Sequence, residues 1–125
     1  MKLIDTNIFL EILLKQDKSE ICKKCLDDNI GSINISDFTL HSIGVILSRE
    51  KKTETFKIFL SDIFPKTNLL SLPKNKYQEL IKASINIGLD FDDSYQYCIA
   101  KHFQFRLVTM DKDFKKVNDI KVDFL

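Results

Sequence analysis

This sequence has almost no excess charge. Nineteen basic residues stand against eighteen acidic ones, a formal net charge of +1, which excludes a polybasic coat as the source of any nucleic-acid affinity. Arginine is scarce, two residues beside seventeen lysines, so bidentate guanidinium recognition has few sites to occupy. Three cysteines, an odd number, argue against a disulfide framework and for a reducing compartment. The longest apolar stretches are only a few residues, so no segment is expected to span a bilayer. Met1 to Asp5 has no hydrophobic region of a signal peptide, and a cytoplasmic protein is expected. Only three glycines and two prolines punctuate 125 residues, which favours a helix-rich fold with short connections.

What is abundant is aliphatic and aromatic bulk. Val, Ile, Leu and Phe number 45, enough for a core, and the length predicts a single domain over residues 1–125. Strand patterns occur at Lys2–Asp5, Ser32–Ser36, Thr67–Leu72, Arg106–Thr109 and Val122–Phe124. Helical patterns lie between them. One carries Ile8, Phe9, Ile12 and Leu13 and is expected to be capped by Thr6 or Asn7. A second carries Ile21, Cys22, Cys25 and Leu26, and Gly31 follows as a stop signal. A third runs from Ser36 or Asp37 to about Lys51, and a fourth holds Phe56, Phe59, Leu60 and Ile63 before Pro65. Lys74–Ile87 is expected to turn Tyr77, Leu80, Ile81, Ser84 and Ile85 inward, with Gly88 beyond its end. Asp92 or Asp93 opens the last helix. Strands separated by helices require crossover connections, so the pattern predicts an α/β fold, a three-layer α/β/α domain around a mostly parallel sheet.

In such a sheet ligands bind beyond the carboxyl ends of the strands. Asp5 ends the first strand and Asp111 lies just past the Arg106 strand, so both fall on one edge. Asp93 opens the helix that leads into that strand and belongs near the same edge, with Asp90, Asp92 and Asp113 close by. A single aspartate in such a place reads equally as a helix cap or a surface charge. Several converging carboxylates repel one another unless a cation neutralises them, and hard oxygen ligands suit Mg²⁺ or Mn²⁺.

Asp5-Thr6-Asn7 after a strand, Leu89-Asp90-Phe91-Asp92-Asp93-Ser94 opening a helix, and Leu107-Val108-Thr109-Met110-Asp111-Lys112-Asp113-Phe114 together resemble a PIN domain. More narrowly, they resemble a VapC-type toxin of a type II toxin–antitoxin pair, over the whole chain. The resemblance implies a sheet of about five parallel strands and a metal-dependent ribonuclease using Mg²⁺ or Mn²⁺. It makes Asp5, Asp93 and Asp111 the catalytic and metal-binding acids, Asp113 an additional one, and Thr6, Asn7 and Thr109 supporting polar groups. RNA cleavage would leave a 5′-phosphate and a 3′-hydroxyl. One position departs from the family pattern: Ser42 stands six residues after Ser36, where relatives carry Glu, and no acid occurs from Phe38 to Arg49. That substitution makes a weak nuclease, or an inactive RNA- or protein-binding module, the alternative reading.

Other features bear on partners. Lys112, Lys115 and Lys116 follow Asp111 and are candidate contacts to an RNA backbone, or a solvated lysine face. Cys22 and Cys25 form a C-x-x-C on an apolar stripe without further zinc ligands, so core packing is expected of them, and of Cys98. His41, beside Ser42, is a candidate for proximity to the site, whereas His102 reads as a helix-end residue. Phe56, Phe59, Leu60 and Ile63 with Leu10 and Leu14 offer either a core or an apolar groove. Relatives use such a region for homodimerisation and for an antitoxin helix, which implies a cognate antitoxin and a homodimer. Two acidic α/β alternatives fail. Haloacid dehalogenase-type phosphatases require an acid where Asn7 stands, and receiver domains require an acceptor Asp where the middle strand ends in Ser71-Leu72-Pro73.

Overall fold

The first strand to be made lies in the middle of the sheet. A computed structural model describes residues 1–125, and in it β1 (Lys2–Ile4) pairs in parallel with β2 (Ile33–Ser36) on one side. On the other side β1 pairs in parallel with β4 (Arg106–Thr109). Beyond β2 lies β3 (Asn68–Leu70), and beyond β4 lies β5 (Val122–Phe124), giving a five-stranded, all-parallel sheet of order β3-β2-β1-β4-β5. Both edge strands are three residues long, short enough to offer little template for unwanted pairing.

The helices are α1 (Thr6–Leu13), α2 (Ser19–Asp28), α3 (Asp37–Arg49), α4 (Thr53–Asp62), α5 (Gln78–Ile87) and α6 (Phe91–Phe103). Parallel crossovers share one hand. As the chain steps outward from β1 through β2 to β3, it lays α1 to α4 on one face. After it jumps back across β1 to β4, α5 and α6 cover the other. Successive strand residues alternate between the two resulting cores. Leu3 and Leu107 pack with Leu80, Tyr95, Ile99 and Phe114 beneath α5 and α6. Ile4 and Val108 pack with Ile8, Phe9, Ile43 and Phe59 beneath α1 to α4, where the Phe9 and Phe59 rings meet edge to face at 5.8 Å. Cys22 lies in the second core with Cys25 against it, and Cys98 lies in the first, all as free thiols.

Three expectations need correction. The segment Lys74–Lys76 is a separate 3-10 turn, and the helix proper starts at Gln78. That helix buries Leu80 and Ala83, whereas Tyr77, Ile81 and Ile85 are 45%, 60% and 76% exposed and Ser84 also faces out. Two apolar stripes at helical spacing wrap α5, and periodicity cannot say which of them meets the sheet. The stripe holding the small Ala83 is the one that packs. Ile21 likewise faces solvent, at 54% exposure, while Cys22 and Leu26 are buried. Gly88 ends α5 as expected, with the left-handed φ of +84° that favours glycine.

The strand order reverses across β1 and β4, which leaves a crevice at their carboxyl ends.

Candidate metal centre

β1 ends at Ile4 and α1 starts at Thr6, so Asp5 is the whole of the strand-to-helix turn. Its backbone is extended and its Oδ1 accepts the Thr6 N–H at 2.8 Å. Asp5 is therefore the cap of α1, not Thr6 or Asn7: a one-residue turn leaves only that residue outside the helix with an oxygen to offer. The same carboxylate takes two further donors. Gln96 Nε2 donates to Oδ1 at 3.2 Å, and Thr109 Oγ1 donates to Oδ2 at 2.6 Å. A carboxylate has about four lone-pair sites, so three bonds leave roughly one for a ligand.

Thr109 ends β4 and joins two acids. While donating to Asp5 it accepts the backbone N–H of Asp111 at 3.0 Å. Asp111 in turn caps the 3-10 turn Lys112–Lys116, its Oδ1 accepting the Asp113 N–H at 2.9 Å. Asp93 arrives from the other side. The cap of α6 is Asp90, whose Oδ1 accepts the Asp93 N–H at 3.1 Å, so the helix begins at Phe91 and not at Asp92 or Asp93. Asp93, relieved of capping, lies in the first turn at 7% exposure. Carboxylate oxygens of Asp93, Asp111 and Asp113 fall within 4.8 Å of one another; Asp5 lies outside that close group and is joined to it through Thr109, which bonds both Asp5 and the Asp111 N–H.

Electrostatics oppose this arrangement without a cation. Burial raises the Asp5 carboxyl above its ordinary range against the three hydrogen bonds it accepts. Burial, then the charges of Asp111, Asp90 and Asp5, push Asp93 up to about 8. No lysine or arginine is among the groups that shift either acid. The donor set is all oxygen, anionic and self-repelling, which fits a hard divalent cation such as Mg²⁺ or Mn²⁺ and not a soft one.

The remaining expected residues divide. Thr6 is half-buried and hydrogen-bonded at the site, 2.9 Å from Thr39 Oγ1, whereas Asn7 is exposed. Ser42 is half-buried, three residues beyond Thr39 and so one turn further along the same face of α3. His41 lines a groove of about 630 Å³ between α3 and α4 with Leu40, Val45, Phe56 and Leu60. Of the apolar residues expected there, Phe56 and Leu60 line the groove, whereas Phe59 and Leu10 belong to the core. Lys112 lies over the Phe124 ring at 5.5 Å and Lys116 donates to the Gly88 carbonyl at 3.3 Å, so both have structural partners; Lys115 is exposed.

Sequence reasoning missed Thr39 and Gln96. Gln96 is 1% exposed, its Nε2 donates to Thr39 Oγ1 at 2.8 Å as well as to Asp5, and its Oε1 is buried without a partner. Leaving such an oxygen unpaired costs about 1–3 kcal/mol. The available signal was spacing: Gln96 stands three residues after Asp93, on the same helical face.

The architecture is shared with known structures. A DNA-bound VapBC from Salmonella typhimurium superposes with a TM-score of 0.81 at 14% identity, covering 98% of this chain and 96% of that one. VapC20 of Mycobacterium tuberculosis, described as a Sarcin-Ricin loop cleaving toxin, gives 0.80 at 10% identity over 97% and 99%. A toxin–antitoxin complex from Klebsiella pneumoniae gives 0.77 at 19% identity over 96% and 95%. Identities this low carry the fold alone. No curated protein matches the sequence. The sequence does match the PIN domain over residues 2–120, from β1 to the approach of β5, and with its acids gathered where β1 and β4 part, the chain belongs to the PIN domain family.

Proposed function

We propose that this chain is a metal-dependent endoribonuclease acting as the toxin of a toxin–antitoxin pair, one domain over residues 1–125 working in the cytoplasm. The observation that carries the reading is the convergence of Asp93, Asp111 and Asp113 at the sheet's reversal point, in a setting that pushes Asp93 up to about 8 in the absence of a cation. Structures of the same fold are described as toxins and toxin–antitoxin complexes.

Asp5, Asp93 and Asp111, with Asp113 at the rim, would hold Mg²⁺ or Mn²⁺. The cation supplies Lewis-acid charge and a water of lowered pKa for hydrolysis of a phosphodiester. The chain supplies the rest. Thr109 keeps Asp5 and Asp111 in one frame through its two hydrogen bonds. The buried oxygens of Asp5 and Asp93 leave Asp113, which is exposed, as the acid placed to orient a water on the solvent side. Lys115 stands on the adjacent turn as a contact to the RNA backbone, with Lys112 and Lys116 beside it, which would set affinity and not sequence choice. The region of the α3–α4 groove is the surface we assign to an antitoxin helix and to a second copy.

The test uses purified protein, structured RNA and Mg²⁺ or Mn²⁺. Cleavage is expected to stop on chelation and to fall by at least about a hundredfold in Asp5→Asn and in Asp93→Asn, the scale of an essential catalytic group. Cleavage that survives both substitutions would remove these acids from the reaction. Ser42 favours a second reading, a module that binds RNA or protein without cutting. Calorimetric titration with Mn²⁺ separates them, since such a module would bind the ion poorly or not at all.

A further inference from the structure

We propose that Gln96, seated on Thr39, is a positioning residue whose amide holds the Asp5 carboxylate in place for a divalent cation. The inference rests on the metal-centre reading above and concerns side chains that the family pattern did not supply. Three lines of geometry support it.

The first is what the amide joins. Gln96 lies on α6 three residues after Asp93 and donates across to Asp5 Oδ1 at 3.2 Å. It thereby ties Asp5 to the helix that carries Asp93, as Thr109 ties Asp5 to the backbone of Asp111 at the end of β4. With the Thr6 N–H as the third donor, the plane of the Asp5 carboxylate is fixed from three separate elements.

The second is how Gln96 is itself held. Thr39 Oγ1 accepts from Gln96 Nε2 at 2.8 Å and from Ser36 Oγ at 3.1 Å. A hydroxyl accepts about two hydrogen bonds and donates one, so the Thr39 proton goes to Thr6 Oγ1, 2.9 Å away. The result is a buried, neutral chain from β2 through α3 to the start of α1. The helix that lacks an acid at Ser42 enters the site at Thr39 instead, as the seat of an amide.

The third is the orphan. Gln96 Oε1 is buried with no partner while Nε2 has two acceptors. Turning the amide over would aim the oxygen at the Asp5 carboxylate, acceptor against acceptor, and deprive Asp5 of a donor. A residue serving only to fill that space would be apolar and would strand nothing. Lysine or arginine would hold Asp5 more strongly but would repel a cation. An uncharged donor restrains the carboxylate and leaves its charge available.

The experiment is calorimetric titration of the full chain with Mn²⁺, at a temperature where circular dichroism shows each variant folded. Gln96→Leu and Thr39→Val are expected to weaken Mn²⁺ binding by about 10–100-fold, the scale for loss of a group that orients a ligand. Thr39→Ser, which keeps the hydroxyl, should bind as the unaltered chain does. Tyr97→Phe on the same helix loses its hydrogen bond to Asp119 and should lower stability without moving the Mn²⁺ affinity, which separates positioning from general loosening. Should Gln96→Leu fail to fold, Thr39→Val set against Thr39→Ser decides the same question. Unchanged affinity in Gln96→Leu and Thr39→Val, in a protein that does bind Mn²⁺, overturns this inference alone. A chain that binds no Mn²⁺ overturns the metal-centre reading and this inference with it.

Discussion

Replacing Thr109 by valine tests the site and the fold in one substitution. Valine matches threonine in shape and is compatible with a strand, so the change removes one hydroxyl from a fully buried position and little else. Two interactions go with it. The 2.6 Å hydrogen bond to Asp5 Oδ2 is donated to a carboxyl group, and bonds to charged groups contribute about 1.5–3 kcal/mol. The N–H of Asp111 loses its acceptor, which costs about 1–3 kcal/mol where water cannot replace it. Asp111 is only half-buried, so the lower part of that range applies and the total is about 2–4 kcal/mol. For a chain of 125 residues each kcal/mol moves Tm by about 3–5 °C, so the drop should be at least about 6 °C. Thermal unfolding followed by circular dichroism, without metal, measures it. Thr109→Ser is the companion: it keeps both hydrogen bonds and loses a methyl group, about 1 kcal/mol. Mn²⁺ affinity should fall in the valine variant and hold in the serine one. A valine variant as stable as the unaltered chain would refute the reasoning, because the hydroxyl would then be joining nothing.

Three further outcomes are expected. Between about pH 4 and pH 8 the folded chain holds protons on Asp93 that the unfolded chain has released, so metal-free stability should fall as pH rises through that window; Tm at pH 5.5 above Tm at pH 8.0, with the difference shrinking on addition of Mn²⁺, is the result that checks it. Asp123 works in the opposite sense, since the hydrogen bond from Arg106 holds its carboxyl low and its contribution is lost only on further acidification. Ser42→Glu places a carboxylate one turn beyond Thr39 and should tighten Mn²⁺ binding by about tenfold through the added charge, read by calorimetry. Phe59→Ala empties the core between α1 and α4, where Phe59 is fully buried against Phe9, and should cost about 3–5 kcal/mol, read as a fall in the urea midpoint.

The fold was legible because each strand here is a short apolar run between strongly periodic helices, and a run buried on both faces needs only its two neighbours to declare the crossover. The acids were legible for a related reason. Asp5 and Asp111 stand at strand ends, and in a parallel sheet those ends share an edge whatever the strand order. Orientation about a helix axis was not legible where two stripes compete, as at Ile81 and Ile85 on α5, since the choice is made by what packs against the helix. Caps were misplaced by one to three residues at Thr6 and at Asp92 because several polar residues adjoin each boundary and only the backbone decides among them. Gln96 and Thr39 are not legible in the sequence because neutral side chains carry no charge pattern. Their role appears only when Asp5 is found hydrogen-bonded to Gln96 on α6, and Gln96 in turn to Thr39 on α3.

The placing of β1 between β2 and β4 has a consequence for when, during synthesis, the carboxylate site comes into being. Asp5 and the threonine that braces it are separated by 104 positions, and the strand carrying that threonine is the fourth of five to leave the ribosome. Until it docks, the opening strand has a bare side and the carboxylates have no common pocket. A nascent or prematurely terminated product would lack the assembled carboxylate pocket, so any chemistry that pocket supports waits until all but the last strand has been made.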